Sequence, residues 1–185
     1  MVCTANLCRS PTAAGLFAVR AGQMHSSIEV GSCGLLPGGR SVPPQVVEAA
    51  SLFGADLAGH RSIQISEQQV SEADLVVTMT RQHQREVVLQ FSDAWSRTFT
   101  LAELLQRGEE VGPRSHGQLM VEWFEELHRG RHRQDMIGTS REGDISDPYG
   151  GPDEGYRRMA HNLAELLNRL AVLIWPVDGS NDHVN

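Results

Sequence analysis

Residues 3–10 read Cys3-Thr-Ala-Asn-Leu-Cys-Arg-Ser10 and are followed by Pro11. Ser10 and Pro11 are typical of the N-cap and first position of a helix, so the sequence predicts a helix over Thr12–Ala21. Backbone N–H groups at the start of a helix attract anions. Five residues separate the first cysteine from the arginine, which lets the chain wrap once around a tetrahedral anion. The stretch therefore predicts a phosphate-binding loop that opens into a helix.

The side chains of this loop are suited to nucleophilic attack on a phosphate ester. Cys3 is the candidate nucleophile, because loop amides and the dipole of the following helix favour its thiolate. Arg9 supplies a permanent cation whose planar fork fits two phosphoryl oxygens. The Ser10 hydroxyl can donate to the Cys3 sulfur, and Asn6 tolerates the left-handed backbone that a tight loop requires. We therefore expect the loop to be the reactive centre.

Apolar runs and helical periodicity along the rest of the chain predict an α/β fold. Strands are predicted over Ile28–Ser32, Asp74–Met79 and Thr98–Leu101. Helices are predicted over Gln45–Phe53, Ser66–Glu72, Thr80–Phe91, Leu101–Arg107, Gln118–Arg129 and Glu154–Leu173. With a strand expected just before the loop, this alternation predicts a small four-stranded parallel sheet with helices on both faces.

Length, composition and charge indicate one domain that does not bind nucleic acid. The 185 residues, of which 40% are hydrophobic, suffice for one sizeable core but not for two ordinary domains. A net charge of −7 argues against the basic face that a nucleic-acid-binding protein needs. All 16 basic residues are arginines, from which we infer no function.

The sequence indicates a cytoplasmic protein with no membrane partner. It contains no run of about 18 apolar residues and no basic segment followed by an apolar run at its start. Its three cysteines are Cys3, Cys8 and Cys33. An odd number of cysteines, all near the start of the chain, is unlike the framework of a disulfide-stapled secreted domain. We therefore expect reduced thiols.

The stretch from Glu103 to Gly143 is rich in arginine and histidine. We interpret it as a solvated surface excursion whose arginines pair with nearby acids such as Glu125 and Glu126. A substrate-recognition patch is the less favoured alternative. Its histidines have no cysteine partners and no compact ligand spacing, so we expect no zinc site and no other metal.

Four further motifs accompany the loop. They are Ser32-Cys-Gly34, Gly59-His-Arg-Ser-Ile-Gln64, Ala73-Asp-Leu-Val-Val-Thr-Met79 and Asp147-Pro-Tyr149. Together with Val2–Pro11 and in this order, they resemble the low-molecular-weight protein tyrosine phosphatase family over most of the chain. We accordingly expect a single phosphatase domain over residues 1–176, an insertion over 103–143 relative to compact members, and a disordered tail over 177–185.

The resemblance implies a two-step hydrolysis that uses no metal and no cofactor. Cys3 would attack the phosphorus of a tyrosine-phosphorylated protein to form a cysteinyl-phosphate, while Arg9 and the loop amides hold the equatorial oxygens. Asp147 would protonate the departing phenolate and then, as a carboxylate, activate the hydrolytic water. Asp144 and Asp153 are weaker candidates for this acid, and a plain Asp-Pro turn is the alternative use of Asp147.

The resemblance also implies binding and supporting roles for other residues. The phosphoryl group would be bound by Thr4, Ala5, Asn6, Leu7, Cys8 and Ser10. Tyr149 would flank the pocket and stack on the phosphotyrosine ring, or else pack against the C-terminal helix. Ser32 and His60 would hold the loop in place, with ordinary turn or core hydrogen bonds as the alternative.

The cysteines other than Cys3 have two possible uses. Cys8 lies in the same loop as Cys3, so a reversible disulfide that makes the enzyme redox-sensitive is plausible. The alternative is that Cys8 is a small buried side chain. We expect Cys33, at a strand end, to be an inert core residue.

The chain differs from the family pattern in three places. Only Met1 and Val2 precede Cys3, whereas a buried strand usually needs about five residues. Either the natural chain begins several residues earlier, which we favour, or the central strand is stunted. Ala5 stands where members often have glycine. Gly150 stands where some members carry a second aromatic residue, so the substrate preference stays open.

Two other functions fit parts of the sequence. Arsenate reduction with an external small thiol needs only Cys3, whereas the intramolecular version is excluded because no cysteine follows Cys33. Asp147 argues against it, since a general acid serves a phenolate leaving group. A non-catalytic phosphotyrosine-binding module is the third possibility, and the intact Cys3, Arg9 and Asp147 argue against that one.

Overall fold

The computed structural model describes residues 1–138 and 140–175. Its strands are β1 (Val2–Cys3), β2 (Cys33–Gly34), β3 (Val76–Thr78) and β4 (Thr98–Thr100). Its α-helices are α1 (Arg9–Gln23), α2 (Pro44–Ser51), α3 (Glu67–Glu72), α4 (Arg81–Gln90), α5 (Leu101–Val111), α6 (Met120–His128) and α7 (Asp153–Ile174). Two 3-10 helices span Ser92–Arg97 and Arg133–Met136. The tail predicted over 177–185 lies outside the described residues.

The four strands form one parallel sheet in the order β2-β1-β3-β4, as predicted. Val2 pairs with Cys33 on one side and with Thr78 on the other, so β1 is central. Every strand has only two or three residues, and β1 is as long as β2. The carboxyl end of a central strand is where parallel sheets place their ligand sites.

Alternate residues of the strands serve two separate cores. Cys3, Val77 and Phe99 lie in the larger core, together with residues of α1, α2, α5, α6 and α7. Val2 and Val76 lie in a smaller core with residues of α3 and α4. Because successive residues of a strand point to opposite faces, this division confirms that helices cover both faces of the sheet.

The longest helix, α7, has 22 residues and packs along α1. Its buried side chains include Leu163, Leu167 and Leu170, whose spacing is that of the predicted apolar stripe. Other positions of α7 are exposed, so the helix covers the core with one side only. In the part of the chain that the structure describes, no helix has the length and apolar composition needed to cross a bilayer.

Two predicted boundaries near the loop are wrong. α1 begins at Arg9, with Cys8 as N-cap and no side-chain cap bond, so Ser10 lies inside the helix and does not cap it. The strand predicted over Ile28–Ser32 is found at Cys33–Gly34 instead. Ile28 and Val30 of the predicted stretch pack against the larger core but pair with no strand that the structure describes. They alternate with exposed residues, and this alternation resembles that of a strand.

The other predicted elements are present, with ends that differ by at most four residues. Ser66, Thr80 and Thr100 are N-caps whose hydroxyls accept a hydrogen bond from the amide three residues later. Such caps satisfy N–H groups that have no partner in the first turn. They fix where α3, α4 and α5 begin.

The interpretation of residues 103–143 as a solvated excursion is wrong. Trp123, Phe124 and Leu127 of α6 are at most 5% exposed and belong to the larger core. Trp123 also donates from its indole to the carbonyl of Gly112 at 3.0 Å. The segment is therefore part of the packed domain, and its position as an insertion stays a prediction.

Arg131 fastens this segment to the sheet and is itself 7% exposed. It pairs with Glu103 at 2.7 Å, not with the acids of α6 that the sequence had favoured. Its guanidinium carbon lies 4.1 Å from the ring centroid of Trp95 and 3.7 Å from that of Phe99. It also donates to the carbonyl of Thr98 at 2.7 Å. A planar cation can satisfy its donors in plane while aromatic rings cover its faces, which explains its burial.

Candidate active site

The predicted phosphate loop joins the carboxyl end of β1 to the first turn of α1. Cys3 is 2% exposed at the end of the central strand. Asn6 has a φ of +54°, the left-handed backbone expected of it. Ala5 packs against the larger core, and Leu7 is buried in it. Thr4 directs its hydroxyl towards Arg9, with Oγ1 3.3 Å from Nη2 of that side chain.

The Ser10 hydroxyl is a hydrogen-bond donor beside Cys3, the candidate nucleophile. Its Oγ lies 3.1 Å from the sulfur of Cys3 and 3.2 Å from the carbonyl oxygen of Cys33. Ser10 is fully buried, so solvent does not compete for this hydroxyl. A hydrogen-bond donor at the sulfur stabilises negative charge there, which favours the thiolate form of Cys3.

Asn6 holds the loop in shape through both ends of its amide. Its nitrogen donates to Ser10 at 3.0 Å and to Ser32 at 2.8 Å. Its side-chain oxygen accepts from the amide of Ile63 at 2.9 Å and from Nε2 of His60 at 3.1 Å. Burial lowers the pKa of His60, and a neutral ring with its proton on Nε2 makes this bond. The structure thus brings Ser32 and His60 to Asn6.

Gly34 of β2 lies against the loop backbone with no space for a side chain. A Cβ added there would be 2.7 Å from the nitrogen of Asn6, 2.8 Å from the carbonyl carbon of Ala5 and 2.9 Å from the oxygen of Thr4. The amide of Leu36 donates to the same Thr4 oxygen at 2.9 Å. The neighbouring strand therefore supports the loop by direct backbone contact.

Arg9 is 5% exposed and reaches the loop from the first residue of α1. Its Nη2 donates to the carboxylate of Asp147 at 2.5 Å and to Thr4 at 3.3 Å. Its Nη1 donates to the carbonyl of Ile145 at 3.4 Å. Its Nε has no partner among the described residues, so this N–H can be donated to an anion in the loop.

Asp147 lies opposite Arg9 on the segment before α7, and 43% of its side chain is exposed. Its other oxygen accepts from the amide of Tyr149 at 3.2 Å, the turn expected of an Asp-Pro sequence. The carboxylate therefore makes both the turn and the contact with Arg9. Asp144 is used elsewhere, because it accepts from the amide of Arg81 at 2.8 Å.

Tyr149 stands at the mouth of the site and is 55% exposed. The buried tyrosine of this region is Tyr156, a residue of α7 that is 4% exposed. Arg40 donates to the Tyr149 hydroxyl at 2.8 Å, and its guanidinium carbon lies 5.8 Å from the ring centroid. A cleft of about 420 Å³ extends from Asp147 and Tyr149 along the start of α7 to Arg158.

Cys8 and Cys33 are buried free thiols. Burial, with the nearby charge of Asp147, raises the pKa of Cys8 to about 12, so its neutral form dominates at pH 7. Burial likewise raises the pKa of Cys33. Cys3 is also unpaired in the structure. Cys8 is therefore not a nucleophilic thiolate at pH 7, and Cys3 stays the candidate nucleophile.

Sequence reasoning missed two residues of this site. Arg40 lies in a Gly- and Pro-rich loop, where nothing marks it as a neighbour of Tyr149. His83 reaches the loop from α4, with Nε2 2.8 Å from the Thr4 hydroxyl. The only signal available for it was its place just after the buried strand β3. Among residues 1–138 and 140–175, no three His, Cys, Asp or Glu side chains converge in a group that could hold a metal ion.

The chain is similar to known phosphatases in sequence and in fold. Residues 1–112 match the family described as low molecular weight phosphotyrosine protein phosphatase. A protein-arginine-phosphatase of Bacillus subtilis is 32% identical over 173 residues, which cover 92% of this chain and 91% of that protein. A low molecular weight protein tyrosine phosphatase from T. tengcongensis has 29% identity and a TM-score of 0.69, with 91% of this chain and 93% of that chain covered.

A third similar protein has been solved with a phosphorylated active site. It is a YwlE arginine phosphatase mutant with a phosphorylated active-site serine, 30% identical, with a TM-score of 0.69 over 92% of this chain and 90% of that chain. A phosphorylated side chain in the active site fits a covalent phospho-enzyme. These similarities do not favour arsenate reduction or a non-catalytic binding module. The chain belongs to the low molecular weight phosphotyrosine protein phosphatase family and is a phosphatase of that type.

Proposed function

We propose that this enzyme is a phosphotyrosine protein phosphatase and that Cys3, Arg9 and Asp147 are its catalytic residues. One observation carries the proposal: a buried cysteine, a buried guanidinium and a partly exposed carboxylate meet at the carboxyl end of β1. They are the nucleophile, the anion-binding cation and the proton donor that hydrolysis of a phosphate monoester requires.

In the first step, the Cys3 sulfur attacks phosphorus, so an S–P bond forms as the P–O bond to tyrosine breaks. Protonated Asp147 transfers its proton to the departing phenolic oxygen. In the second step, the Asp147 carboxylate takes a proton from water, whose oxygen attacks phosphorus and releases the Cys3 sulfur. Ser10, 3.1 Å from that sulfur, stabilises its negative charge in both steps.

The Arg9–Asp147 ion pair must open before the first step. Nη2 of Arg9 contacts Oδ2 of Asp147 and the amide of Tyr149 donates to Oδ1, so both carboxylate oxygens already have a partner in this arrangement. A phosphoryl group bound by Arg9 supplies the negative charge that Asp147 otherwise supplies. Substrate binding therefore frees Asp147 to face the leaving oxygen.

Half-exposed apolar side chains beside the loop support an aromatic substrate. Leu36, Ile63 and Tyr149 are 48%, 50% and 55% exposed. The amide of Leu36 bonds to Thr4 and that of Ile63 to Asn6, so both side chains leave the backbone next to the loop. A phenyl ring that covers such surface gains about 25 cal/mol per Å² of apolar area.

The charge at the mouth supports phosphotyrosine over phosphoarginine. Arg40 lies over the ring of Tyr149, 5.8 Å from its centroid. The guanidinium of phosphoarginine would be repelled by this cation, which also covers one face of the Tyr149 ring. A neutral phenyl ring meets neither obstacle.

Phosphoarginine is the second candidate substrate, because the Bacillus subtilis relative that matches 92% of this chain is named a protein-arginine-phosphatase. With that substrate, a P–N bond would break and Asp147 would protonate a guanidine nitrogen. Cys3 and Arg9 would keep their roles.

Two peptides of one sequence, carrying either phosphotyrosine or phosphoarginine, test the substrate. We expect kcat/KM to be at least roughly 10-fold higher for the phosphotyrosine peptide. The apolar side chains of Leu36, Ile63 and Tyr149 favour its phenyl ring, and the charge of Arg40 disfavours the guanidinium of phosphoarginine. Arg40→Ala should narrow the difference, and Cys3→Ser should abolish both activities. A preference for the phosphoarginine peptide would instead establish the second candidate, and binding of both without turnover would contradict catalysis.

We propose further that Cys8 makes the enzyme redox-sensitive. Peroxide would oxidise the Cys3 thiolate to a sulfenic acid, and the Cys8 sulfur would displace water from it to form a disulfide that thiols reduce. The high pKa of Cys8 implies that closure becomes faster from pH 7 to pH 9. After enough peroxide to carry an unprotected sulfenic acid on to sulfinic acid, recovery of activity with dithiothreitol should be lost in Cys8→Ser and kept in Cys33→Ser. We also propose a cytoplasmic location, because Cys3, Cys8 and Cys33 are all free and free cysteines are typical of reducing compartments.

A further inference from the structure

His83 is a buried histidine that the mechanism above does not use. It is 4% exposed and lies in the first turn of α4, where its amide donates to the Thr80 N-cap. Its Nε2 is 2.8 Å from the hydroxyl of Thr4, inside the phosphate loop. This contact comes from β3 and α4, whereas His60 and Ser32 hold Asn6 from elsewhere in the chain.

The hydroxyl of Thr4 has two neighbours and three hydrogen-bonding positions. Arg9, which is always a donor, lies 3.3 Å away through Nη2. His83 either donates to the hydroxyl through Nε2–H or accepts its proton at Nε2. In the first arrangement, the oxygen accepts twice and its proton remains available for another partner. In the second, that proton is used by the histidine.

The other ring nitrogen of His83 decides between these arrangements. Nδ1 is buried and has no partner among the described residues. If Nε2 accepted, Nδ1 would carry the proton and an N–H group would be buried without an acceptor, which is rare and costly. With the proton on Nε2, only a lone pair is left unsatisfied. Burial and the charge of Arg9 lower the pKa of His83 to about 4, so the ring is neutral at pH 7.

We propose that His83 is a positioning residue that, as a donor through Nε2, turns the Thr4 hydroxyl proton towards the phosphoryl oxygens of the substrate. The proposal rests on the phosphatase mechanism above. Nη2 of Arg9 contacts both Thr4 and Asp147, so the hydroxyl lies beside the group that binds the anion. The loop thereby gains one side-chain donor that is already oriented before substrate arrives.

The position of the proton is measured directly by NMR of the wild-type protein labelled with ¹⁵N-histidine. We expect the His83 ring to show a protonated Nε2 and a bare Nδ1, and to keep this state from pH 8 to pH 5. A protonated Nδ1, or a ring that becomes cationic near pH 6.5, would overturn the proposal. This experiment involves no turnover, so it is independent of whether the substrate assignment holds.

A double-mutant cycle tests the function of the contact. Thr4→Val removes the hydroxyl at nearly constant volume, and His83→Leu removes its partner. We expect each to lower kcat/KM for p-nitrophenyl phosphate and affinity for inorganic phosphate by roughly 10- to 100-fold, with the double variant no worse than Thr4→Val. His83→Gln, which keeps an N–H donor, should recover part of the loss. Effects that multiply in the double variant would overturn the coupling.

A matched substitution controls for the addition of a leucine to this turn of α4. Gln82 is exposed on the same turn of α4, so Gln82→Leu adds the same side chain outside the site. It should keep wild-type kinetics. If Cys3→Ser leaves hydrolysis intact, the phosphatase mechanism is wrong. If Cys3→Ser abolishes hydrolysis but the effects of Thr4→Val and His83→Leu multiply in the double variant, the proposed role of His83 is wrong and the mechanism stands.

Discussion

Single side chains hold the phosphate loop in shape through several hydrogen bonds at once, and Asn6 is the clearest example. It combines a left-handed backbone with hydrogen bonds to two serines, a histidine and a backbone amide. Asn6→Ala should cost about 3 kcal/mol in the free energy of unfolding, because buried donors and acceptors lose their partners. Urea unfolding measures this. Asn168→Ala, on the exposed side of α7, is the control, and equal midpoints for the two variants would contradict the prediction.

At the same scale, His83 ties stability to pH. Its pKa is about 4 in the folded protein and about 6.5 in an unfolded chain, so between these values the unfolded state binds more protons. The stabilisation is complete above pH 6.5 and is lost as pH falls towards 4. The wild type should lose roughly 3 kcal/mol more than His83→Gln over this range. The other histidines contribute equally to both curves of unfolding free energy against pH, because both proteins contain them. Parallel curves for the wild type and His83→Gln would exclude this role of His83.

At the scale of elements, the contact between β2 and the phosphate loop depends on the absence of a side chain at Gly34. An alanine there would press on loop backbone that has no flexible end to move aside. We expect Gly34→Ala to lower kcat/KM by roughly 100-fold or more through a displaced loop. Activity measurements should be paired with circular dichroism. Gly31→Ala, where an added Cβ meets nothing within 4 Å, should behave as the wild type. Normal activity in Gly34→Ala would show that the loop tolerates displacement.

The Arg131–Glu103 pair is another contact between elements, and it joins α5 to the segment that follows α6. Its N–O distance of 2.7 Å equals that of the surface pair Arg157–Glu48. The two ion pairs differ in burial, since the Arg131 side chain is 2% exposed and the Arg157 side chain is 51% exposed. Arg131→Ala should therefore cost about 3 kcal/mol and Arg157→Ala less than about 1 kcal/mol. Thermal unfolding of both compares them, and similar losses would refute the distinction.

At the scale of the whole molecule, the sequence predicted what local signals encode. Turn, cap and apolar patterns predicted the loop and the alternation of strands and helices, whereas the expected contacts of Ser32 and His60 came from the resemblance to the family. It did not predict Arg131, because burial of a cation depends on aromatic rings that approach from elsewhere in the chain. The same holds for His83 and Arg40, whose partners are distant in sequence. The bounds of β2 were missed because pairing with β1, not the apolar pattern, decides them.

In the mechanism proposed above, the ion pair between Arg9 and Asp147 gives the reaction an order. While the two are joined at 2.5 Å, the proton donor is held by the residue that must receive the substrate. A doubly charged phosphate monoester can take the place of the carboxylate, whereas a phosphodiester or a sulfate ester brings a single charge and competes poorly for the same guanidinium. Singly charged esters should therefore leave the acid locked in place. With these roles, we expect the enzyme to select its substrates by charge before any bond is broken.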